Sequence, residues 1–145
     1  MARTSNKENY YIDPIELKES VVEMQSAGHM TERFARHLLL LQEKVLQFPR
    51  YRGYTEEIKD EMRSHNMYRW VMKGWKTINP EKNVFAYITQ GCYLNFLQAI
   101  TNYFRRWNKQ KEYMKLLYEW NGLDWKDSGY DAVDDQFPKE ADDDA

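Results

Sequence analysis

The chain has few of the residues that form disulfides or interrupt helices. Of its 145 residues, one is cysteine, four are proline and six are glycine. Because Cys92 is the only cysteine, an internal disulfide and a cysteine-based zinc site are excluded, and such usage is typical of a reducing compartment. The scarcity of helix breakers, together with Leu, Met, Glu, Lys and Arg at helical spacing, favours helices over a sheet.

The chain also lacks a long apolar run. The longest covers residues 38–41, whereas a membrane-spanning helix needs roughly 20 apolar residues. The N-terminus has no apolar segment of the signal-peptide type, so we expect a soluble, cytoplasmic protein. A chain of this length has room for one core. We predict an all-α, compact bundle of about four helices over residues 12–121, preceded by a flexible leader at residues 1–11.

Charge is unevenly distributed along the chain. The formal net charge is −2, yet residues 123–145 hold nine acidic and two basic side chains, while residues 1–122 hold 19 Lys/Arg against 14 Asp/Glu. A basic body suits a polyanionic partner, although so small an excess is unspecific. Residues 122–145 form an acidic tail that is poor in branched apolar residues, and we predict that it is disordered.

Capping residues indicate where the helices begin and end. Asp13 before Pro14 is typical of a helix start, and a glycine is typical of a helix end. We predict starts at Asp13, Thr31, Thr55 and Asn83, and ends near Gly28, Pro49, the turn at residues 79–83 and Gly122. At 1.5 Å per residue the last helix is about 60 Å long, so we expect its second half to project from the bundle, bend or dock on something else.

The last helix carries two sets of residues. An apolar set recurs every three or four positions, as packing on a core requires: Phe85, Ile88, Cys92, Phe96, Ile100, Tyr103 and Trp107. Rings, amides and hydroxyls lie elsewhere on the helix and are followed by cations: Tyr87, Gln90, Tyr93, Asn95, Gln98, Thr101, Arg105, Arg106, Lys109 and Lys111. Such side chains suit partly opened nucleic acid, because rings stack on bases, amides reach base edges and cations hold phosphates. Ordinary surface positions of an aromatic-rich chain explain the same residues equally well.

No catalytic or metal-binding motif stands out. The three histidines, His29, His37 and His65, lack the spacing of a metal site, and there is no Gly-rich phosphate loop, Gly-flanked nucleophilic serine or Cys–His pairing. We therefore predict a binding module without a metal or a cofactor, and not an enzyme.

One stretch resembles a known family. The turn at residues 79–83 is followed by FAYITQGCY, residues 85–93, and this pattern is similar to phage late-transcription sigma factors of the T-even type. These are reduced relatives of the second conserved region of bacterial sigma factors. The similarity runs from about Tyr11 to Lys111 and includes GYTEEIKDEM at residues 53–62 and MKGW at residues 72–75. FAYITQ is the most specific element because it keeps the Phe-x-Tyr-x-Thr order.

The resemblance implies a protein that binds the host RNA polymerase core in an infected bacterium and directs it to AT-rich late promoters. The helix at residues 55–76 would dock on a coiled coil of the large catalytic subunit through Asp60, Glu61, Ser64 and His65. The last helix would read and help open the element upstream of the start site, and AT-rich steps open at low cost. Its matching residues are Tyr87, Thr89, Gln90, Tyr93, Asn95 and Gln98, with Arg105, Arg106 and Lys109 on phosphates.

The chain departs from the family pattern in places. Bacterial sigma factors have a tryptophan pair where this chain has Gln90 and Gly91, a loss that the phage relatives share. There is no room for a separate helix-turn-helix domain, and Phe137 is the single candidate anchor for a sliding clamp. A phage co-activator and the clamp stay open as partners. Two other interpretations remain: a polymerase-binding inhibitor that competes with host sigma without reading DNA, and a helical protein that self-associates through its last helix.

Overall fold

A computed structural model describes residues 12–135 of the chain. Within this range the chain is helical and has no β-strand, which confirms the all-α prediction. The helices are α1 (Pro14–Ala27), α2 (Glu32–Leu46), α3 (Glu56–Arg69), the single turn α4 (Trp75–Thr77), α5 (Val84–Trp120) and α6 (Tyr130–Asp135). A π-helical turn, Trp70–Gly74, joins α3 to α4, and short 3-10 turns occupy Pro49–Tyr51 and Trp125–Ser128.

Side-chain caps fix the starts of the four main helices. The caps are those predicted, and each accepts a hydrogen bond of 2.9 to 3.3 Å from a backbone N–H in the first turn: Asp13, Thr31, Thr55 and Asn83. These amides have no carbonyl partner inside the helix, so the caps stabilise each start. No helix in residues 12–135 combines the length and the apolarity needed to cross a bilayer. The predicted leader, residues 1–11, lies outside the described residues.

Residues 84–100 of α5, its proximal half, form the centre of the bundle. They pack against α1, α2 and α3, and their buried side chains are Val84, Ile88, Cys92, Phe96, Ala99 and Ile100. Residues 101–120, the distal half, contain no buried side chain, although Tyr103 and Phe104 still pack against the edge of the core. The distal half of the helix therefore extends past the core, as its length predicted.

The core register of α3 differs from the predicted one. The apolar spacing of the sequence over residues 58–78 predicts one buried side, formed by Ile58, Met62, Val71, Trp75 and Ile78. In the structure 49% of Val71 is exposed. The buried residues instead follow steps of four: Ile58, Met62, Asn66 and Trp70. The π-helical turn then takes five residues to reach Trp75, which packs against the core. The pattern of apolar residues does not predict this register, because Asn66 is polar and the turn Trp70–Gly74 does not have α-helical periodicity.

Part of the predicted disordered tail is folded. Gly122, at φ 68°, ends α5 with a Schellman motif, in which Leu123 N–H donates to the Tyr118 carbonyl at 2.8 Å and Gly122 N–H to the Glu119 carbonyl at 3.2 Å. The chain reverses at this point and lies back on α5. The tail prediction is thus corrected for residues 124–135, because rings supply the contacts that branched apolar residues usually make. Residues 136–145, with Phe137, lie outside the described range.

Candidate functional site

A groove of about 610 Å³ lies between the end of α3 and the proximal half of α5. We call it the α3–α5 groove. Trp70 forms its floor, and the walls combine rings, apolar side chains, cations and amides: Tyr68, Arg69, Met72, Lys73, Tyr87, Gln90, Leu94 and Asn95. Tyr68, Met72 and Leu94 are more than half exposed. The groove therefore offers solvent an apolar and aromatic surface with polar groups at its edges, which is the usual make-up of a binding site.

Two glycines allow the indole of Trp70 to form the floor. A Cβ placed on Gly74 would lie 2.5 Å from Trp70 Cε3, and one placed on Gly91 would lie 2.4 Å from Trp70 Cζ2. The ring thus fills the space that any larger residue would need, once in the π-helical turn and once in α5. Because of this close approach, even a methyl group at position 91 would collide with Trp70.

A buried polar network holds Trp70 in place. The indole Nε1–H donates to Asn66 Oδ1 at 3.0 Å, and the same oxygen accepts from Asn95 Nδ2 at 3.1 Å. The Asn66 amide nitrogen donates to Gln42 Oε1 at 3.0 Å and to Cys92 Sγ at 3.4 Å. Because all four contacts converge on Asn66, the network links α2, α3 and α5 in one arrangement. Burial raises the pKa of the Cys92 thiol to about 11, so this thiol stays protonated and unreactive.

Two of the predicted DNA contacts on α5 line the groove with exposed side chains. Gln90 is exposed on its wall. Tyr87 is 44% exposed, and its ring meets Trp70 edge to face, with centroids 6.3 Å apart at 73°. The Tyr87 hydroxyl lies 2.7 Å from Thr77 Oγ1. This hydrogen bond and the ring contact orient Tyr87 before any ligand is bound.

Other predicted DNA contacts are placed elsewhere. Tyr93 lies outside the groove, half-buried, with the Arg50 guanidinium 4.5 Å from its ring centroid. The Thr89 hydroxyl is enclosed and has no hydrogen-bond partner among the described residues. Asn95 lies at the groove wall, but its amide is engaged with Asn66. The predicted set is therefore divided between the groove and the protein's own packing.

The predicted polymerase-binding residues are also divided. Asp60 and Ser64 are exposed on the outer side of α3, and Asp60 pairs with Arg63 at 2.8 Å. Glu61 and His65 instead face α5. The four residues that the sequence placed on one docking face therefore lie in two places: two on the outer side of α3 and two against α5.

The two predicted surfaces meet where α3 faces α5. Glu61 pairs with Arg106 at 3.1 Å, and His65 Nε2 lies 2.7 Å from Gln98 Oε1. Each pair joins a predicted polymerase contact to a predicted DNA contact. A partner that displaces Glu61 or His65 would therefore free a group on α5.

The predicted phosphate contacts lie farther along α5. Arg105, Arg106 and Lys109 are exposed side chains in the distal half. At 1.5 Å per residue, Arg105 lies roughly 16 Å along the helix axis from Leu94 at the groove. The cations thus continue the same helix past the groove without lining it.

Sequence reasoning missed the α3 wall of the groove. Tyr68, Arg69, Met72 and Lys73 all line it, but they belong to a helix that was assigned to polymerase docking alone. A signal was present, because residues 68–75 read YRWVMKGW and combine rings with cations. Without knowledge of the π-helical turn, the face that these residues share could not be identified.

The chemistry available in the groove is that of binding. Rings can stack, the Gln90 amide can donate and accept hydrogen bonds, and Arg69 and Lys73 can hold anions. Among residues 12–135, no three His, Cys, Asp or Glu side chains are grouped so that they could hold a metal ion.

Comparisons of this chain with protein-family models, with curated proteins and with solved structures found no match. The similarity to phage sigma factors therefore stays a prediction that depends on the residues quoted for it. The geometry of the groove has to be interpreted from its own side chains.

Proposed function

We propose that this chain is a phage sigma-type module that binds the host RNA polymerase core and helps it open AT-rich late promoters. The protein makes no covalent change in DNA. One observation carries the proposal: Tyr68 and Tyr87 stand exposed at an apolar groove that also presents Arg69, Lys73 and Gln90. This combination of rings, cations and an amide suits a single strand whose bases have left the duplex stack.

The groove would favour the opened state over the duplex. A base in a closed duplex is already stacked and cannot reach Tyr68 or Tyr87, whereas an unpaired base can. Base–aromatic stacking is worth about 1–3 kcal/mol per base, and AT-rich steps unstack at low cost. A few such contacts would shift the promoter toward the bubble, with Arg69 and Lys73 on the adjoining phosphates.

Polymerase docking would use the outer side of α3. Asp60 and Ser64 are exposed there, whereas Glu61 and His65 are paired with α5. We infer that Asp60 and Ser64 contribute the docking contacts directly. Glu61 and His65 would then connect docking to the helix that meets DNA.

The test is promoter-directed transcription with purified host core polymerase on phage late DNA, with any co-activator that the phage supplies. Tyr68→Ala should reduce specific initiation at least about fivefold, given the value of one stacked base. Tyr113→Ala is the matched control, because Tyr68 is 60% and Tyr113 59% exposed, and Tyr113 lies far from the groove on the distal half. Unchanged initiation sites on addition of the wild-type protein would refute the proposal.

The second candidate is an inhibitor that binds polymerase without reading DNA. The exposed carboxylate of Asp60 favours polymerase contact under both functions. The double variant Tyr87→Ala/Gln90→Ala separates them. It should abolish promoter opening by a sigma-type module, while its affinity for polymerase should stay intact in both cases.

The third candidate is a helical protein that acts through self-association. It is favoured by a row of exposed apolar side chains at helical spacing on the distal half of α5: Tyr113, Leu116, Leu117 and Trp120. Light scattering distinguishes this function. A stable dimer that Leu116→Glu dissociates, with no polymerase recovered from a host lysate, would support self-association against the sigma-type function.

A further inference from the structure

The acidic segment at residues 124–135, which we call the return segment, lies along the distal half of α5. The Trp125 ring meets Tyr118 edge to face at 5.5 Å and stacks on Tyr130 at 5.3 Å. Tyr130 in turn packs on Trp107, with centroids 5.0 Å apart at 32°. The contacts thus pass from residue 118 back to residue 107, so the return segment runs antiparallel to α5 toward the bundle.

Polar contacts support the same docking. Gln110 Nε2 donates to the Tyr130 hydroxyl at 3.4 Å, and Lys115 Nζ lies 5.3 Å from the centre of the Trp125 ring. Within the segment, Trp125 Nε1 donates to Asp131 Oδ1 at 3.3 Å. The segment reaches as far as the junction of α3 and α5, because Val133 lines a cavity together with Glu61 and Arg106.

The two segments of chain that pack together have opposite net charge. Residues 124–135 contain five aspartates and one lysine, whereas residues 105–115 of α5 contain five Lys/Arg and one glutamate. At physiological ionic strength charges interact over about 8 Å, and contacts of 5.0 to 5.5 Å hold the return segment against α5 within that distance. The return segment is therefore close enough to weaken the positive potential of α5 on the side that it covers.

We propose that the return segment is an intramolecular competitor for nucleic acid, which covers one side of the basic distal half of α5 until a polyanion or the polymerase complex displaces it. The inference rests on the proposed function in that the displaced ligand is DNA. The covered side of α5 carries Lys115 and, where the segment ends beside Val133, Arg106. Arg105 and Lys109 each lie two residues from Trp107, so at roughly 100° per residue they face away from the segment. The segment therefore competes with phosphates at Lys115 and Arg106. The segment would reduce non-specific binding by the free protein and leave the groove open.

The docking is suited to being reversible. Trp125 and Tyr130 remain only partly buried, and α6 has six residues, too few to be stable as an isolated helix. A segment with so few buried apolar contacts opens at a small fraction of the global unfolding free energy. Several phosphate contacts on α5 therefore suffice to replace it.

Tyr130→Ala tests the inference because it removes the central ring of the contact without changing the charge of the protein. Hydrogen exchange over residues 124–135 verifies that the segment is released. The probes are a labelled mixed-sequence DNA duplex and heparin, a sulfated polysaccharide that reports exposed basic surface independently of promoter function. We expect Tyr130→Ala to bind the duplex about tenfold more tightly at low salt, with a steeper salt dependence, and to elute from heparin at higher salt.

Two further variants sharpen the result. Asp127→Asn/Asp134→Asn/Asp135→Asn lowers the negative charge and should also raise both affinities. Tyr113→Ala, on the same helix but outside the ring contacts, should change neither. If hydrogen exchange shows release in Tyr130→Ala while duplex and heparin affinity stay at the wild-type values, the inference is overturned. Stronger heparin retention without any promoter opening would support the inference and refute the proposed function.

Discussion

The two halves of α5 belong to one continuous helix but have different surroundings. Between residues 84 and 100, six side chains are buried in the bundle, and the indole of Trp70 lies where a side chain at Gly91 would be. Between residues 101 and 120 no side chain is buried, and Trp120 is 88% exposed. The proximal half is therefore held by tertiary packing, whereas the distal half depends on helix propensity and on the return segment.

Under the proposed function, this difference suits two kinds of contact with one nucleic acid. A groove that discriminates unpaired bases has to keep its rings in place, and the proximal half provides that rigidity through Asn66 and Trp70. Phosphates need positive charge near the surface and tolerate movement, so the distal half needs no core. The comparison predicts that substitutions around the proximal half of α5 change the unfolding free energy and the shape of the groove together. Substitutions in the distal half should change the affinity for nucleic acid alone.

The largest expected effect contrasts two tryptophans. Trp70→Ala removes a buried ring and its hydrogen bond to Asn66, so we expect a loss of about 3–5 kcal/mol in unfolding free energy. Trp120→Ala, at the exposed end of α5, should stay within about 0.5 kcal/mol of wild type. Urea unfolding followed by circular dichroism measures both. Equal losses for the two variants would contradict the claim that packing on Trp70 holds the proximal half of α5 while the distal half has no such support.

The next effect concerns the polar network. Asn66→Ala leaves Gln42, Trp70 and Asn95 without their shared partner, and buried groups without partners cost about 1–3 kcal/mol each. We expect a net loss of about 2–4 kcal/mol, together with altered fluorescence of Trp70. Asn102→Ala, an exposed asparagine on the distal half, is the matched control and should be nearly neutral. A stable Asn66→Ala protein would show that the network does not fix the groove.

A smaller loss is expected for Gly91→Ala. The new methyl group would collide with the indole, and overpacking costs about 1–3 kcal/mol, of which the better helix propensity of alanine restores up to about 1 kcal/mol. The double variant with Trp70→Leu tests the cause. In that background Gly91→Ala should become neutral or stabilising, since the ring is gone. A loss of the same size in both backgrounds would contradict the proposed close approach.

The smallest expected effect is a pH dependence of the unfolding free energy, which arises in the bundle at His37. Burial, and next the charge of Arg33, lower the pKa of His37 in the folded state, while Glu16 opposes the shift. The unfolded chain, with a His pKa of about 6.5, then binds the proton more readily, so the unfolding free energy should fall as pH drops through about 6.5. Unfolding free energies measured between pH 7.5 and 5.5 give the slope. His37→Gln should flatten it, and an unchanged slope in that variant would assign the effect to other groups.

The starts of the four main helices and the buried side of α5 could be predicted from the sequence. Asp13, Thr31, Thr55 and Asn83 act as caps because a cap depends on neighbouring residues alone, and the apolar spacing of residues 85–100 identified the buried side of α5. Other features depend on contacts between distant residues. The burial of Trp70 needs two glycines, one in the π-helical turn and one in α5, and the docking of Tyr130 on Trp107 needs a chain reversal at Gly122.

The candidate site was predicted in part. Tyr87 and Gln90 line the groove as their residue types suggested, but Tyr68, Arg69 and Lys73 were missed because the π-helical turn sets the face that they share. Tyr93 and Thr89 were placed on the DNA-binding side although the helix turns them elsewhere. Residue type therefore indicated the chemistry, whereas the packing of α3 on α5 decides which side chains supply it.

The most direct measurement is crosslinking of a single-stranded, AT-rich oligonucleotide that carries photoreactive thymine analogues, in complex with this protein and the host polymerase core. The account predicts that mass spectrometry will locate the base crosslinks at the α3–α5 groove, on Tyr68, Lys73 or Tyr87. Crosslinks confined to residues 101–120, or none above those of a Tyr68→Ala/Tyr87→Ala variant, would contradict it.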